Sequence, residues 1–576
     1  MRQFLLIPLL SLLLVPFNGR SQKIPFEQSG GQETSTYAQV ISFYKELDKR
    51  SKRLLLKTMG PTDAGFPLHL VMYSNDGSAD PATWHQQQKV VLFILNGIHP
   101  GEPDGIDASM LWLRDLVEGK KSIPDNVALA FVPVYNIGGA LNRSAYYRVD
   151  QNGPAAFGSR GNSQNYDLNR DFIKNDTREA RSFVRIFHYL QPDVFIDNHV
   201  SNGADYQHIM TLIASQHNKL GGKMGEFMNQ QFEPGLYSLM KKKGYDLIPY
   251  VNAFGDTLES GWPEFLEGPR YSSGYASLWN CFAFVPETHM LKPYVQRVNA
   301  TYALMESFVQ FASANNRQIK TLIRETTDYQ RTAETFPLQW KLNREKWTEL
   351  LFKGFEAGRK PSGVSGLPRL YYDRSKPFEK QVRFFNQYDI ALEIKKPTAY
   401  LLPQGWWRVV ELLQLNRVTM IPLQKDTSIE VEYYKILNYS TSNRAFEGHH
   451  LNNNIQVSTH KEKILFRKGD WYIPMNQRAN RFLMEVLEPQ AMDAYFSWNF
   501  FDPILGQKEG YSSYVFEDTA EKYLKEHPEV QKALEEKRNS DTAFAKSAAQ
   551  QLDFVFRNSP YYEPGHNRYP VFRVLQ

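Results

Sequence analysis

Four short polar segments of this sequence carry residue types suited to hydrolytic chemistry. The first, Asn96-Gly97-Ile98-His99-Pro100-Gly101-Glu102-Pro103, follows an apolar run ending at Leu95. A His and a Glu three positions apart in a Gly/Pro-rich turn can converge on one point, because the turn bends the backbone back on itself. An imidazole nitrogen and a carboxylate so placed suit a zinc ion. The spacing alone also occurs among plain surface residues, so it needs support from elsewhere in the chain. That support is Asp197-Asn198-His199, where a second imidazole comes directly after another apolar run and on the same expected edge of a sheet. Two His and one Glu leave a fourth zinc position for water, the arrangement of a catalytic site rather than a structural one. His-Glu-x-x-His does not occur in the sequence, which excludes the helix-borne version of such a site.

The third segment is Tyr166-Asp167-Leu168-Asn169-Arg170-Asp171-Phe172, with Arg160-Gly161-Asn162 before it. The guanidinium fork of Arg170 matches a carboxylate and Asn169 adds a donor, so the pair could hold the terminal carboxylate of a substrate. In the fourth, Phe284-Val285-Pro286-Glu287, a carboxylate ends an apolar strand, where it can serve as general base toward a metal-activated water. Upstream of it, Tyr271-Ser272-Ser273-Gly274 offers a phenol within reach of a substrate amide or carboxylate.

In this order along the chain, the segments resemble the zinc carboxypeptidase family of the carboxypeptidase A type, over roughly residues 40 to 310. The resemblance implies one Zn2+ per chain held by His99, Glu102 and His199, with Glu287 as the catalytic glutamate and Asn169-Arg170 as the carboxylate-binding pair. It implies Arg160 as the arginine that polarises the scissile carbonyl, with Arg148 as the competitor. Tyr271 looks like the family's mobile substrate-binding tyrosine, and Leu278 like the side-pocket residue that sets preference. The fold implied is α/β, with a mixed, mainly parallel central sheet and helices on both faces. The activity implied is hydrolysis of peptide bonds with release of the C-terminal residue, by zinc-promoted water attack. A zinc amidohydrolase acting on peptidoglycan stem peptides or N-acyl amino acids would share these motifs. A non-catalytic peptide-binding protein on a peptidase scaffold is the alternative from a different class.

The elements that must position these residues are legible as alternating patterns. Strand-like runs cover Lys89 to Leu95, Val127 to Tyr135, Asp193 to Asp197 and Cys281 to Glu287. Between them, Pro103 to Gly119 starts with Pro, ends with Gly and places Ile106, Met110, Leu113 and Val117 on one helical face. Thr177 to Leu190 reads as a second helix. Strands alternating with helices predict an α/β domain whose site lies beyond the carboxyl ends of the strands.

The remaining organisation follows from composition. Residues 1–21 pair Arg2 with an apolar run from Phe4 to Phe17 and small residues at Gly19 and Ser21, the pattern of a secretory signal peptide cleaved near Ser21. The expected product is extracytoplasmic, with no stable membrane anchor; its oligomeric state is left open. Residues 22–320 are expected to form the catalytic domain, 321–480 a β-rich accessory region, and 481–576 a helical and aromatic region packing on the rest. Together the last two form a C-terminal α+β region, which also looks like that of large bacterial members of the family. Trp406-Trp407 and the stretch Tyr495 to Phe501 could supply stacking faces for carbohydrate or apolar core. Among 576 residues there is one cysteine, Cys281, which excludes an intrachain disulfide and any Cys-rich metal site. A formal charge of +5, dispersed along the chain, gives no footing for a nucleic-acid partner.

Overall fold

The computed structural model describes residues 22–201, 203–252, 258 and 260–575; the expected signal segment, 1–21, lies outside them. Eight strands form the central sheet: β1 (Leu54–Pro61), β2 (Pro67–Tyr73), β3 (Val90–Asn96), β4 (Val127–Val132), β5 (Val194–Ser201), β6 (Met210–Ala214), β7 (Ile248–Pro249) and β8 (Phe282–His289). Their spatial order is β1-β2-β4-β3-β5-β8-β6-β7. The centre, β4-β3-β5-β8, is parallel. The flanks β1-β2-β4 and β8-β6 run antiparallel, so the sheet is mixed.

The unbroken apolar runs have a simple cause. Val91, Phe93 and Leu95 enter one core and Val90, Leu92 and Ile94 the other, so β3 is buried on both faces. A strand covered on both sides has no face on which polar residues are favoured. One face is covered by helices α1 (Asp104–Val117) and α3 (Tyr294–Ala314), the other by α2 (Arg178–Leu190). Thr177 caps α2 by accepting the N–H of Ala180 at 3.2 Å. In α1, Ile106, Met110 and Leu113 of the expected face are buried and Val117 is half-buried, but Leu111, Trp112 and Leu116 are buried too, so the helix is covered nearly all round. Gly105 meets the sheet so closely that a Cβ would lie 2.4 Å from Asn96 Oδ1. A glycine there lets the helix start directly against the strand ends.

The C-terminal half completes the α2 face. A hairpin of residues 348–361 and 368–385 lies against the loop after β5, where Lys353 O accepts the N–H of Gln207 at 2.9 Å. A six-stranded sheet includes residues 399–402, 427–441, 452–466, 471–474 and 572–574. Strand 572–574 sits between 399–402 and 427–441, so the segments expected on either side of residue 480 share one sheet. The helical part of the region expected over 481–576 includes four helices within 513–557. Contacts to the first half are specific. Tyr275 Oη donates to Asn416 Oδ1 at 2.7 Å, Arg270 pairs with buried Asp493 at 2.7 Å, and Trp279 stacks on Phe482 at 5.2 Å. Tyr495, Phe496, Trp498 and Phe501 are fully buried, which makes them core rather than stacking platforms. No helix among the described residues is long and apolar enough to cross a membrane.

Several element boundaries differ from the sequence reading: β4 ends at Val132 rather than Tyr135, and two further shifts involve residues singled out above. His199 lies inside β5 rather than after it, because the backbone keeps pairing with β8 as far as Ser201 opposite His289. Cys281 precedes β8 instead of lying within it, and is fully buried there.

Candidate metal centre

The loop between β3 and α1 is a tight turn in which His99 O accepts the N–H of Glu102 at 2.8 Å. The turn places both side chains on one side and faces them toward His199 on neighbouring β5. One ligand atom each from His99, Glu102 and His199 lie within 4.8 Å of one another, and all three residues are buried. Glu102 Oε2 is 3.0 Å from His199 Nδ1, and its Oε1 is 3.3 Å from His99 Nδ1.

The outer nitrogens are already committed. His99 Nε2 donates to Asp167 Oδ1 at 3.0 Å and His199 Nε2 to Asp197 Oδ2 at 2.9 Å. Ser272 Oγ in turn donates to Asp197 at 2.6 Å. A metal-binding imidazole is oriented in this way by a carboxylate on its other nitrogen. Both Nδ1 atoms therefore face Glu102, and His99 Nδ1 has no hydrogen-bond partner among the described residues. This donor set fits a zinc ion: two imidazole nitrogens and one carboxylate, with carboxylates behind both rings.

Glu287 completes the centre from β8, where it is the register partner of His199. Burial pushes its carboxyl up to about 8, with Glu102 and Asp197 adding to the rise against the pull of His199 and Arg148. Burial also opposes ionisation of Glu102 and Asp167, but the groups around them outweigh it. Arg148 and His99 hold Glu102 well below the usual carboxylate range, and His99, Arg160 and Arg170 do the same for Asp167.

A cavity of about 520 Å³ opens over these groups. It is lined by the three proposed ligands and Glu287, and also by Arg148, Arg160, Asn169, Arg170 and Tyr271. The two competing arginines differ in their commitments. Arg148 spends its donors on Gln151, Glu102 and the Val200 carbonyl, at 2.6, 2.6 and 3.1 Å. Arg160 is half exposed, anchored to Asp167 at 2.9 Å through Nε and Nη2, with Nη1 3.6 Å from Glu102. Arg170 stacks on the Tyr271 ring at 4.5 Å and donates to Asn169 O at 2.8 Å. Asn169 Oδ1 accepts the N–H of Ser272 at 3.2 Å, which leaves its Nδ2 uncommitted among the described residues.

Leu278 requires a correction. It is fully buried at the end of the short helix 272–277, and it borders a separate cavity with Leu220, Phe336 and Arg481. Only three residues separate it from β8, with Asn280 in a left-handed turn, and its side chain packs into the core on the α2 face instead of lining the site's cavity. Apolar lining of the site's cavity comes instead from Ile213, Val285, Tyr250 and Phe265. The sequence reading also missed Asp167 and Asp197. Asp197 had a signal: it stands two residues before His199 in a strand, hence on the same face.

No family model matches the chain, and no curated protein matches it. Among solved structures the chain is similar to a metallo-carboxypeptidase from Burkholderia cenocepacia. The match is at 14% identity and TM-score 0.36 and covers 49% of this chain and 70% of that one. A metallo-carboxypeptidase from Pseudomonas aeruginosa, solved in complex with (2-guanidinoethylmercapto)succinic acid, matches at 13% identity and TM-score 0.36 over 50% and 70% of the two chains. Carboxypeptidase A from Helicoverpa armigera matches at 13% identity and TM-score 0.36 over 50% and 75%.

Proposed function

We propose that the chain is a zinc-dependent peptide hydrolase that releases C-terminal residues, with His99, Glu102 and His199 holding the metal. The observation that carries this reading is the convergence of two Nδ1 atoms and a carboxylate, each ring backed by an aspartate, beside the half-buried Glu287. Zinc bound there would supply Lewis-acid chemistry, polarising a carbonyl oxygen and making a water acidic near neutral pH.

The chain's own residues do the rest. Glu287 accepts the proton of the attacking water and returns it to the leaving amine, a shuttle for which its place opposite His199 suits it. Arg160 is favoured over Arg148 for the developing oxyanion, because its Nη1 is the less committed donor. A donor of this kind contributes about 3–4 kcal/mol to such a transition state. Asn169 and Arg170 hold the substrate carboxylate, and Tyr271, stacked on Arg170, keeps that guanidinium in place. Residues 1–21 support export of the activity out of the cytoplasm.

Zinc analysis combined with mass spectrometry of a mixed peptide pool tests this reading. Stoichiometric zinc and loss of single C-terminal residues from free peptides, with amidated ones left intact, are expected. Equal cleavage of amidated peptides would overturn the exopeptidase reading, and cleavage confined to N-acyl amino acids would identify an amidohydrolase.

A further inference from the structure

The C-terminal half reaches the back of this centre at one turn. Phe446 and His449 exchange backbone hydrogen bonds of 2.7 and 3.1 Å, closing a turn around Glu447 and Gly448. These two central residues have φ of +49° and +80°. Positive φ at both positions is the mark of a type I′ turn, for which Asn-Gly or Asp-Gly is the favoured pair. A glutamate in the left-handed region is sterically costly, and such outliers point to a role for the side chain.

Contacts on both sides fix the turn. A Cβ on Gly448 would lie 2.6 Å from the Tyr166 phenol oxygen, so only a glycine fits against that ring. His449 Nε2 meets Asp176 Oδ2 at 2.8 Å, and Phe446 stacks near Trp498 at 6.3 Å. Held in this way, Glu447 Oε2 accepts the backbone N–H of Asp167 at 2.8 Å. The carboxylate of Asp167 is the group that accepts from His99 Nε2, from Arg160 Nε and from the N–H of Asn169. A displacement of the Asp167 backbone would therefore turn the His99 ring and release the Arg160 guanidinium together.

We propose that Glu447 is a positioning residue of the metal centre, fixing Asp167 from a turn of the C-terminal half and, through it, His99 and Arg160. The proposal rests on the reading of His99, Glu102 and His199 as zinc ligands. It also gives the C-terminal half a part in the site beyond covering a core face.

The test uses the full chain and two variants. Glu447→Asn creates the favoured Asn-Gly turn but stops short of the Asp167 N–H, whereas Glu447→Gln keeps an acceptor oxygen in reach. Zinc affinity is read by competition with a chelator, and melting temperature and kcat against KM are read alongside. The Asn variant should melt at or above the parent temperature yet bind zinc roughly 3- to 10-fold more weakly, below the 10–100-fold typical of direct partners of a ligand. Its kcat should fall with KM within about twofold. The Gln variant should stay within about twofold of the parent in all three. Parent-like zinc affinity in Glu447→Asn would overturn the proposal, and so would an equal loss in both variants, which would assign the effect to charge. A parent chain that binds no zinc would overturn the ligand reading and this proposal with it.

Discussion

Glu287 and His199 face each other as register partners on adjacent parallel strands, β8 and β5. Neighbouring strands lie about 4.8 Å apart, and register partners project from the same face of a sheet. The proposed base is thus held beside a proposed ligand by the backbone ladder itself, not by a mobile loop.

Replacing the base should separate metal binding from turnover. Glu287→Gln preserves shape and leaves the three ligands intact, so zinc content should match the parent. Peptide hydrolysis should fall by about 10²–10⁴-fold, the usual contribution of a general base. A variant hydrolysing peptides at the parent rate would place the base elsewhere.

The aspartates behind the rings should matter nearly as much as the ligands. Asp197→Asn and Asp167→Asn are each expected to weaken zinc binding by about 10–100-fold, measured by chelator competition. Unchanged affinity in both would mean that packing alone orients the imidazoles.

Asp493 ties the two halves together immediately before Tyr271. Besides pairing with the Arg270 side chain, it accepts the Arg270 N–H at 3.0 Å. Asp493→Ala leaves the guanidinium unpaired at a seam where the aspartate is fully buried. Breaking such a pair costs about 3–5 kcal/mol, which a denaturant titration would read as a clear fall in midpoint. A midpoint equal to the parent's would show that the seam is held by its apolar contacts.

Glu179 gives stability a pH dependence. Burial pushes its carboxyl up to about 7, and the nearby Asp63 adds to the rise. The folded chain therefore binds this proton more tightly than the unfolded chain, whose glutamate titrates near 4.5. The contribution is full below about 4.5, fades as pH rises to about 7 and is absent above it. Glu179→Gln mimics the protonated form, so it should be the more stable chain at pH 8, by up to about 3 kcal/mol, and show no such decline. Superimposable melting-temperature profiles from pH 4 to 8.5 would refute this.

What could be read from sequence was local. The runs at β3, β4, β5 and β8 announced themselves because strands buried on both faces open on unbroken apolar stretches, the polar residues of β5 and β8 gathering at their carboxyl ends. His99 and Glu102 were legible because one turn brings them together. Leu278 was misplaced because its direction depends on a three-residue connection whose geometry no pattern encodes. The role of Asp167 depends on contacts from His99, 68 positions away, and from Glu447, 280 positions away. Nothing in the polar loop around residues 442–454 hinted that one of its side chains would reach back to the site.

The placement of strand 572–574 between 399–402 and 427–441 has a consequence for synthesis. Ribosomes add about 5–20 residues per second, so roughly 15–60 s separate Glu287 from that strand. During this interval every proposed ligand already exists, but the covering sheet cannot close and its aromatic underside stays wet. A chain ending even a few residues before Phe572 would leave strands 399–402 and 427–441 without the strand that joins them.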